Sequence, residues 1–180
     1  MSSYNLFAEN EAINFRSGSF YARHRGCHSN TFTGNVSRDG PGFGFLTRDG
    51  AHHNVIERHT IANMAYALMF MDTDEDDGQQ TAGDYNVYRD ITITGGVYAI
   101  AFHDLTHAGT TSSGNEFTRL TVTGSSYLFR CGHRAIGNTL ADSTLTSIPD
   151  KVMYAGGKGA SDLGVTYSGN TLTNCPFGLP

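Results

Sequence analysis

The sequence predicts an all-β chain wound into a solenoid of stacked, parallel coils, about six to seven of them in one domain over residues 1–180. Three observations predict it. A unit of about 23 residues recurs along the chain; its apolar positions fall at even spacings; and its extra residues always enter at one corner. Even spacing in segments rich in Val, Ile, Thr, Tyr and Phe is the period of a strand, and a recurring unit of this length is the mark of a repeat architecture.

The repeat is clearest from Asn54 to His133. Aligned on Asn54, Asn86 and Asn115, apolar residues stack at every core position: Ile56, Tyr88 and Phe117; Ile61, Ile93 and Val122; Leu68, Ile100 and Phe129; Phe70, Phe102 and Cys131. Counting from Asn5 gives Phe7, Ser19 and Tyr21, and from Asn30 gives Phe32, Gly44 and Leu46. Asn138 leads to Leu140, Leu145, Val152 and Tyr154, and Asn170 to Leu172 in an incomplete unit. The 22 glycines break any long helix. Each coil therefore reads as short strands separated by turns, stacked at about 4.8 Å. The recurring Asn suits a turn, since it tolerates the left-handed backbone region and its side chain can hydrogen-bond up a stack.

The repeat starts at Asn5, which leaves no room for the polar cap a solenoid end needs. The expectation is a first coil covered by a partner, or by the remainder of a longer chain. Insertions leave one corner after the third strand, at 72–84, 105–114 and 156–169, the last Gly-rich and read as a loop. The first carries Asp72, Asp74, Glu75, Asp76 and Asp77, which account for the net charge of −5. Asp72, Asp74 and Asp76 have the spacing that opens a calcium-binding loop, but the Gly and Glu that complete one are missing. Ca²⁺ is thus a weak candidate cofactor, and a solvated acidic loop the plainer reading. His103 and His107 offer at most a weak zinc pair, because a strand running into a loop does not align residues four apart.

Two charged columns contrast. Four residues after each Asn stand Glu9, Gly34, Arg58, Asp90, Arg119 and Asp142, whose alternating signs read as a surface ladder. Eighteen residues after stand Arg23, Arg48, Asp72, Asp104 and His133, where like sits on like. Stacked carboxylates repel, raise one partner's pKa and form half of a glycoside-cleaving or proton-abstracting site. Asp72, Asp104, His103 and His133 are the catalytic candidates, with Arg23, Arg48 and Arg130 to hold an acidic substrate. The alternative is that these are turn residues splayed into solvent by the insertions.

Tyr66, Tyr98 and Tyr127 form a further column that reads as a buttress along one corner. Odd positions of the third strand give an outward stripe of Phe20, Phe45, Met69, Ala101, Arg130 and Met153, apolar enough to suggest a homo-oligomer interface. That assignment depends on strand parity, and a slip of one residue buries it.

Composition limits the partners. No basic stripe exists to neutralise phosphates, so nucleic acid is not expected. No apolar run is long enough to span a membrane as a helix, and no signal peptide is visible. Cys27, Cys131 and Cys175 match no metal or redox spacing, and Cys131 falls in an apolar column.

The coil pattern resembles the right-handed parallel β-helix proteins, among them pectate and alginate lyases, polygalacturonases, mannuronan epimerases and phage tailspikes. The resemblance is to the architecture alone: no family's catalytic motif stands in this sequence, so no catalytic residue is carried over. It implies an extracellular or cell-surface protein acting on an acidic polysaccharide as a lyase, hydrolase or epimerase, with a groove along the Arg23 to His133 corner. The alternative function is a non-catalytic structural or binding segment of a surface or tail-fibre protein. Fold does not choose between them, and the absence of Trp leans against a dedicated sugar-binding module.

Overall fold

A three-residue strand can turn one side chain inward, and most of this fold is built from such strands. The computed structural model describes residues 2–73, 81–103 and 109–179. Each coil contributes one strand to each of three parallel sheets. The first runs from Leu6–Ala8 to Leu163–Ser168, the second from Glu11–Ile13 to Thr171–Thr173, and the third from Gly18–Arg23 to Asp150–Tyr154. The result is a parallel β-solenoid of about six turns, and the described residues contain no α-helix.

The central residue of each short strand fills the core. Phe32, Ile56, Tyr88, Phe117 and Leu140 stack in the first sheet. Ile61, Ile93, Val122 and Leu145 stack in the second. Leu68, Ile100 and Phe129 stack in the third, beside Phe70, Phe102 and Cys131. All are buried, so the expected columns stand as read.

The corners are single residues in the left-handed region. Glu9, Gly34, Arg58, Asp90, Arg119 and Asp142 have φ between 51° and 64° and turn the chain from the first sheet to the second. The charged column is therefore also a column of bends. Arg119 and Asp90 pair through two hydrogen bonds of 2.7 and 2.8 Å, whereas Arg58 pairs with Glu57 at 3.2 Å.

Asparagine fastens the coils at the entrance to the first sheet. Asn5, Asn30, Asn54, Asn86, Asn115 and Asn138 lie in line, each donating its Nδ2 to the next Oδ1 at 3.0–3.1 Å. The same Oδ1 accepts the backbone N–H of the preceding Asn, at 2.9–3.0 Å. Each interior Nδ2 also reaches a backbone carbonyl, such as Ser112 from Asn138, so the buried carboxamides are satisfied.

Three expectations need correction. Asn170 does not continue this line: its Oδ1 accepts the N–H of Ser143, and Thr171–Thr173 belongs to the second sheet. The last coil's first strand is instead Leu163–Ser168, paired with Arg134–Ala141. The segment 156–169, expected as a loop, thus holds a 3₁₀ turn at Ala160–Asp162 and then this strand. The last correction concerns the first two coils. From the left-handed residue of the second corner to the third strand is four steps there (Asn14 to Gly18, Asp39 to Phe43) but three later (Asn63 to Tyr66, Gly95 to Tyr98). One extra corner residue shifts the register.

Phe20 and Phe45 therefore join the core column of Leu68, Ile100 and Phe129, and Phe45 is wholly buried. The outward stripe is Tyr21, Leu46, Met69, Ala101, Arg130 and Met153. Leu46, Met69 and Ala101 are buried although they alternate away from the core, so the chain itself covers the middle of this stripe, while Tyr21 at its first coil stays exposed. Glycine permits the wider corner: a Cβ on Gly42 would sit 2.0 Å from the Ser17 carbonyl oxygen of the coil above.

Candidate functional site

The expected site lies where the third strands end. Arg23 does stack on Arg48, but their partner in the third coil is Met71 and not Asp72, because of the register shift. The like charges are reconciled by Asp49, a buried residue not anticipated from the sequence. Its Oδ2 accepts from Nε of Arg23 and of Arg48, each at 2.8 Å, and its Oδ1 accepts the N–H of Thr73 at 2.8 Å. Burial alone would raise the Asp49 pKa; the Thr73 N–H and the two guanidiniums outweigh it and hold the carboxyl below its ordinary value. Two of the three candidate substrate-binding arginines, Arg23 and Arg48, thus serve an internal anion. The signal was present, since Asp49 follows Arg48 in an Arg-Asp-Gly turn.

Asp72 is also buried, and its Oδ2 accepts from the Thr110 hydroxyl at 3.0 Å. Asp104, its expected stacking partner, lies outside the described residues, as do Asp74, Asp76 and His107. Among the described residues, no three His, Cys, Asp or Glu side chains converge to hold a metal.

His133 sits 2% exposed between two fixed partners. Its Nδ1 lies 2.8 Å from the His103 carbonyl, which can only accept, so Nδ1 carries the proton. Nε2 is then an acceptor, and the Ser112 hydroxyl donates to it over 2.8 Å. The order hydroxyl, imidazole, orienting acceptor is that of an activated nucleophile. Here Ser112 is fully buried, and burial pushes the imidazole down to about 4. What the arrangement achieves is a neutral imidazole pinning the loop return at Ser112 to the third sheet. Sequence reading missed Ser112 because it lies after an insertion of irregular length.

His103 and Arg130 face the outer side of the third sheet. Tyr66, Tyr98 and Tyr127 stack there with ring centroids 5.3 and 5.4 Å apart. The His103 ring meets Tyr66 edge-on at 5.1 Å, and the Arg130 guanidinium lies over Tyr98 at 5.4 Å. The structure therefore disperses the six main candidates that lie among the described residues. Arg23 and Arg48 meet at Asp49, Asp72 and His133 turn inward, and His103 and Arg130 join the tyrosines.

A second cluster was not foreseen. His28 stacks on His52 at 5.2 Å, and Nδ1 of His52 lies 2.8 Å from Nδ1 of His53. Burial, with the charges of His53, His28 and Arg25, lowers the His52 pKa.

A concavity lies elsewhere, at the open face of the first coil. It measures about 570 Å³ and is lined by Phe7, Tyr21, Cys27, Phe32 and the backbone and side chains around Arg23 to Gly26. Among the described residues, six of the ten exposed large apolar side chains belong to this coil: Tyr4, Leu6, Phe7, Ile13, Phe15 and Tyr21. At the other end Cys175, Phe177 and Leu179 pack against the core. Comparison with known proteins adds no kinship: no family model matches the chain, and neither a curated protein nor a solved structure does.

Proposed function

We propose that the chain is a non-catalytic structural segment, a β-solenoid that assembles through the open face of its first coil. One observation carries this reading: the first coil exposes several aromatic and aliphatic side chains, and two of them, Phe7 and Tyr21, line a cavity of about 570 Å³. Exposed apolar side chains concentrated in one coil, beside a cavity, point to an interaction surface. The inward hydrogen bonds of Asp72 and His133 support it further, because groups spent on holding coils together are poorly placed to act on a polymer. A right-handed winding goes with this reading, being the hand of nearly all parallel crossovers. A surface or fibre setting goes with it too.

The test is dye binding and sedimentation of the intact chain. It should bind an apolar fluorescent dye and associate as concentration rises; Phe7→Ser with Tyr21→Ser should remove both. A monodisperse, dye-silent protein at high concentration contradicts the reading.

Polysaccharide contact is the second reading, and the ladder of Tyr66, Tyr98 and Tyr127 beside Arg130 favours it. Stacked rings with a cation over them offer a platform for sugar faces and a uronate carboxylate. Affinity electrophoresis in acidic polysaccharide gels decides it: retardation that Arg130→Gln abolishes supports this reading, and unhindered migration removes it.

A further inference from the structure

We propose that His52 and His53 form a chelating site for a divalent transition-metal ion, copper(II) or nickel(II), held through both Nδ1 atoms. Two consecutive residues of an extended strand point to opposite sides. His53 instead takes the left-handed bend, with φ of 53°, that turns the chain toward the first sheet. The bend brings its ring to the side of His52, and the two Nδ1 atoms stand 2.8 Å apart.

Neighbouring coils hold this arrangement from both sides. The N–H of His52 donates to the Cys27 carbonyl of the coil above, and the N–H of His53 to the Asp84 carbonyl of the coil below, each over 3.3 Å. His28 lies flat on the His52 ring, with centroids 5.2 Å apart, and the His53 ring leans on Tyr85 at 5.4 Å. Both imidazoles are thus placed before a metal arrives, which lowers the ordering cost of chelation.

The spacing selects the metal. With metal–nitrogen bonds of about 2.0–2.1 Å, two imidazoles at right angles place their nitrogens about 2.9 Å apart, and two at the tetrahedral angle about 3.3 Å. The observed separation is the right-angle one, which suits the square-planar or tetragonal sites of Cu(II) and Ni(II) better than tetrahedral Zn(II). As neutral rings, one Nδ1 donates its proton to the other. A bound ion takes the lone pairs of both, and each ring then carries its proton on Nε2. Burial, with the charges of His53, His28 and Arg25, lowers the His52 pKa, so its ring is neutral and can ligate at neutral pH. Among the described residues no third His, Cys, Asp or Glu side chain joins the pair, so water fills the remaining positions; His53 is exposed and His52 half-buried, which lets it in.

Titration calorimetry of the full chain with Ni(II) at neutral pH tests the site. One equivalent should bind, and His52→Gln and His53→Asn should each weaken binding by about a hundredfold, the worth of a second ligand already held in place. Asn suits the left-handed bend at position 53, so that variant keeps its backbone, and circular dichroism checks the fold of both. One equivalent of Cu(II) should show two imidazole nitrogens in its paramagnetic resonance spectrum, and one in either variant. Two independent imidazoles would instead lose half the bound metal in each variant at unchanged affinity, and that result overturns the chelate. Binding that neither substitution alters overturns it too, as does no binding at all.

Discussion

Arg23 and Arg48, on adjacent coils, donate through Nε to the same carboxylate oxygen of Asp49, each over 2.8 Å. The stacked like charges that suggest a reactive groove are thereby one ion-bridged corner. Asp49 is fully buried while Arg23 keeps 41% of its side chain exposed and Arg48 19%, so the carboxylate bears the larger desolvation.

Asp49→Asn tests this corner with little change of shape. Asn tolerates the φ of 52° at this position, so the backbone is not the variable. Two guanidiniums then stack without a counter-charge. The expected loss is about 2–4 kcal/mol, below the upper range for a buried pair because both arginines reach solvent. Urea unfolding at neutral pH measures it. Because the Asp49 carboxyl is held below its ordinary 3.8, its contribution is full above that value and falls only as pH drops through the folded pKa. A variant as stable as the parent would mean that the ion bridge contributes nothing net.

Breaking the ladder at its middle should cost more. Asn86→Ala leaves the N–H of Asn54 and the Ala51 carbonyl without these partners and removes one of two hydrogen bonds from the Asn54 Nδ2 and from the Asn115 Oδ1, all at a buried corner. Each unmet group costs about 1–3 kcal/mol, so the substitution should remove several kcal/mol. With total stability of about 5–15 kcal/mol, the variant is expected to be largely unfolded near its normal melting temperature. Circular dichroism through the melt reads the outcome. A drop of only a few degrees would place the coil-to-coil adhesion in the apolar columns.

Those columns and the ladder were legible because identical residues recur at identical spacing, and a parallel stack aligns what recurs. The register of the first two coils was not legible. Counting from Asn30 puts Gly44 and Leu46 inside, while the structure puts Phe45 and Thr47 there. Both frames offer an apolar residue, so hydrophobicity does not choose; one extra residue in a Gly-Pro-Gly corner does. That slip also misaligned Arg48 with Asp72. His133 was misread for a different reason: its partner Ser112 comes after an insertion, and sequence spacing carries no record of that contact.

The register has its own test in a pair of truncations. Phe45→Ala empties a fully buried core position packed on Phe32 and Tyr88 and should cost about 3–5 kcal/mol. Leu46→Ala, on the outer face under neighbouring side chains, should cost about 2 kcal/mol less than that. Denaturant midpoints order the two. The reverse ranking would restore the frame in which Leu46 points inward.

Acid stability follows from two imidazoles held neutral. Burial pushes His59 and His133 from an ordinary 6.5 to about 4. A His with a lowered folded pKa binds its proton more readily when unfolded. Its full contribution therefore stands above pH 6.5 and erodes as pH falls toward 4, by about 3 kcal/mol for each residue. His52, lowered by burial and its cationic neighbours, adds to the same limb. Together these approach the whole stability of a typical domain, so unfolding is expected before the carboxylates protonate. His59→Asn separates the contributions. Asn continues the column of Asn10 and Asn35, whose Nδ2 now meets His59 Nε2 at 3.3 Å, but it cannot titrate. Neutral stability should fall, because Phe20 and Phe45 lose a ring contact. The dependence of stability on pH between 6 and 5 should also flatten by about 1.4 kcal/mol per unit, the share of one proton. Urea titrations at these two pH values give the slopes directly. An unchanged slope would show that His59 takes up no proton on unfolding, and the acid limb would then belong to His133 and His52.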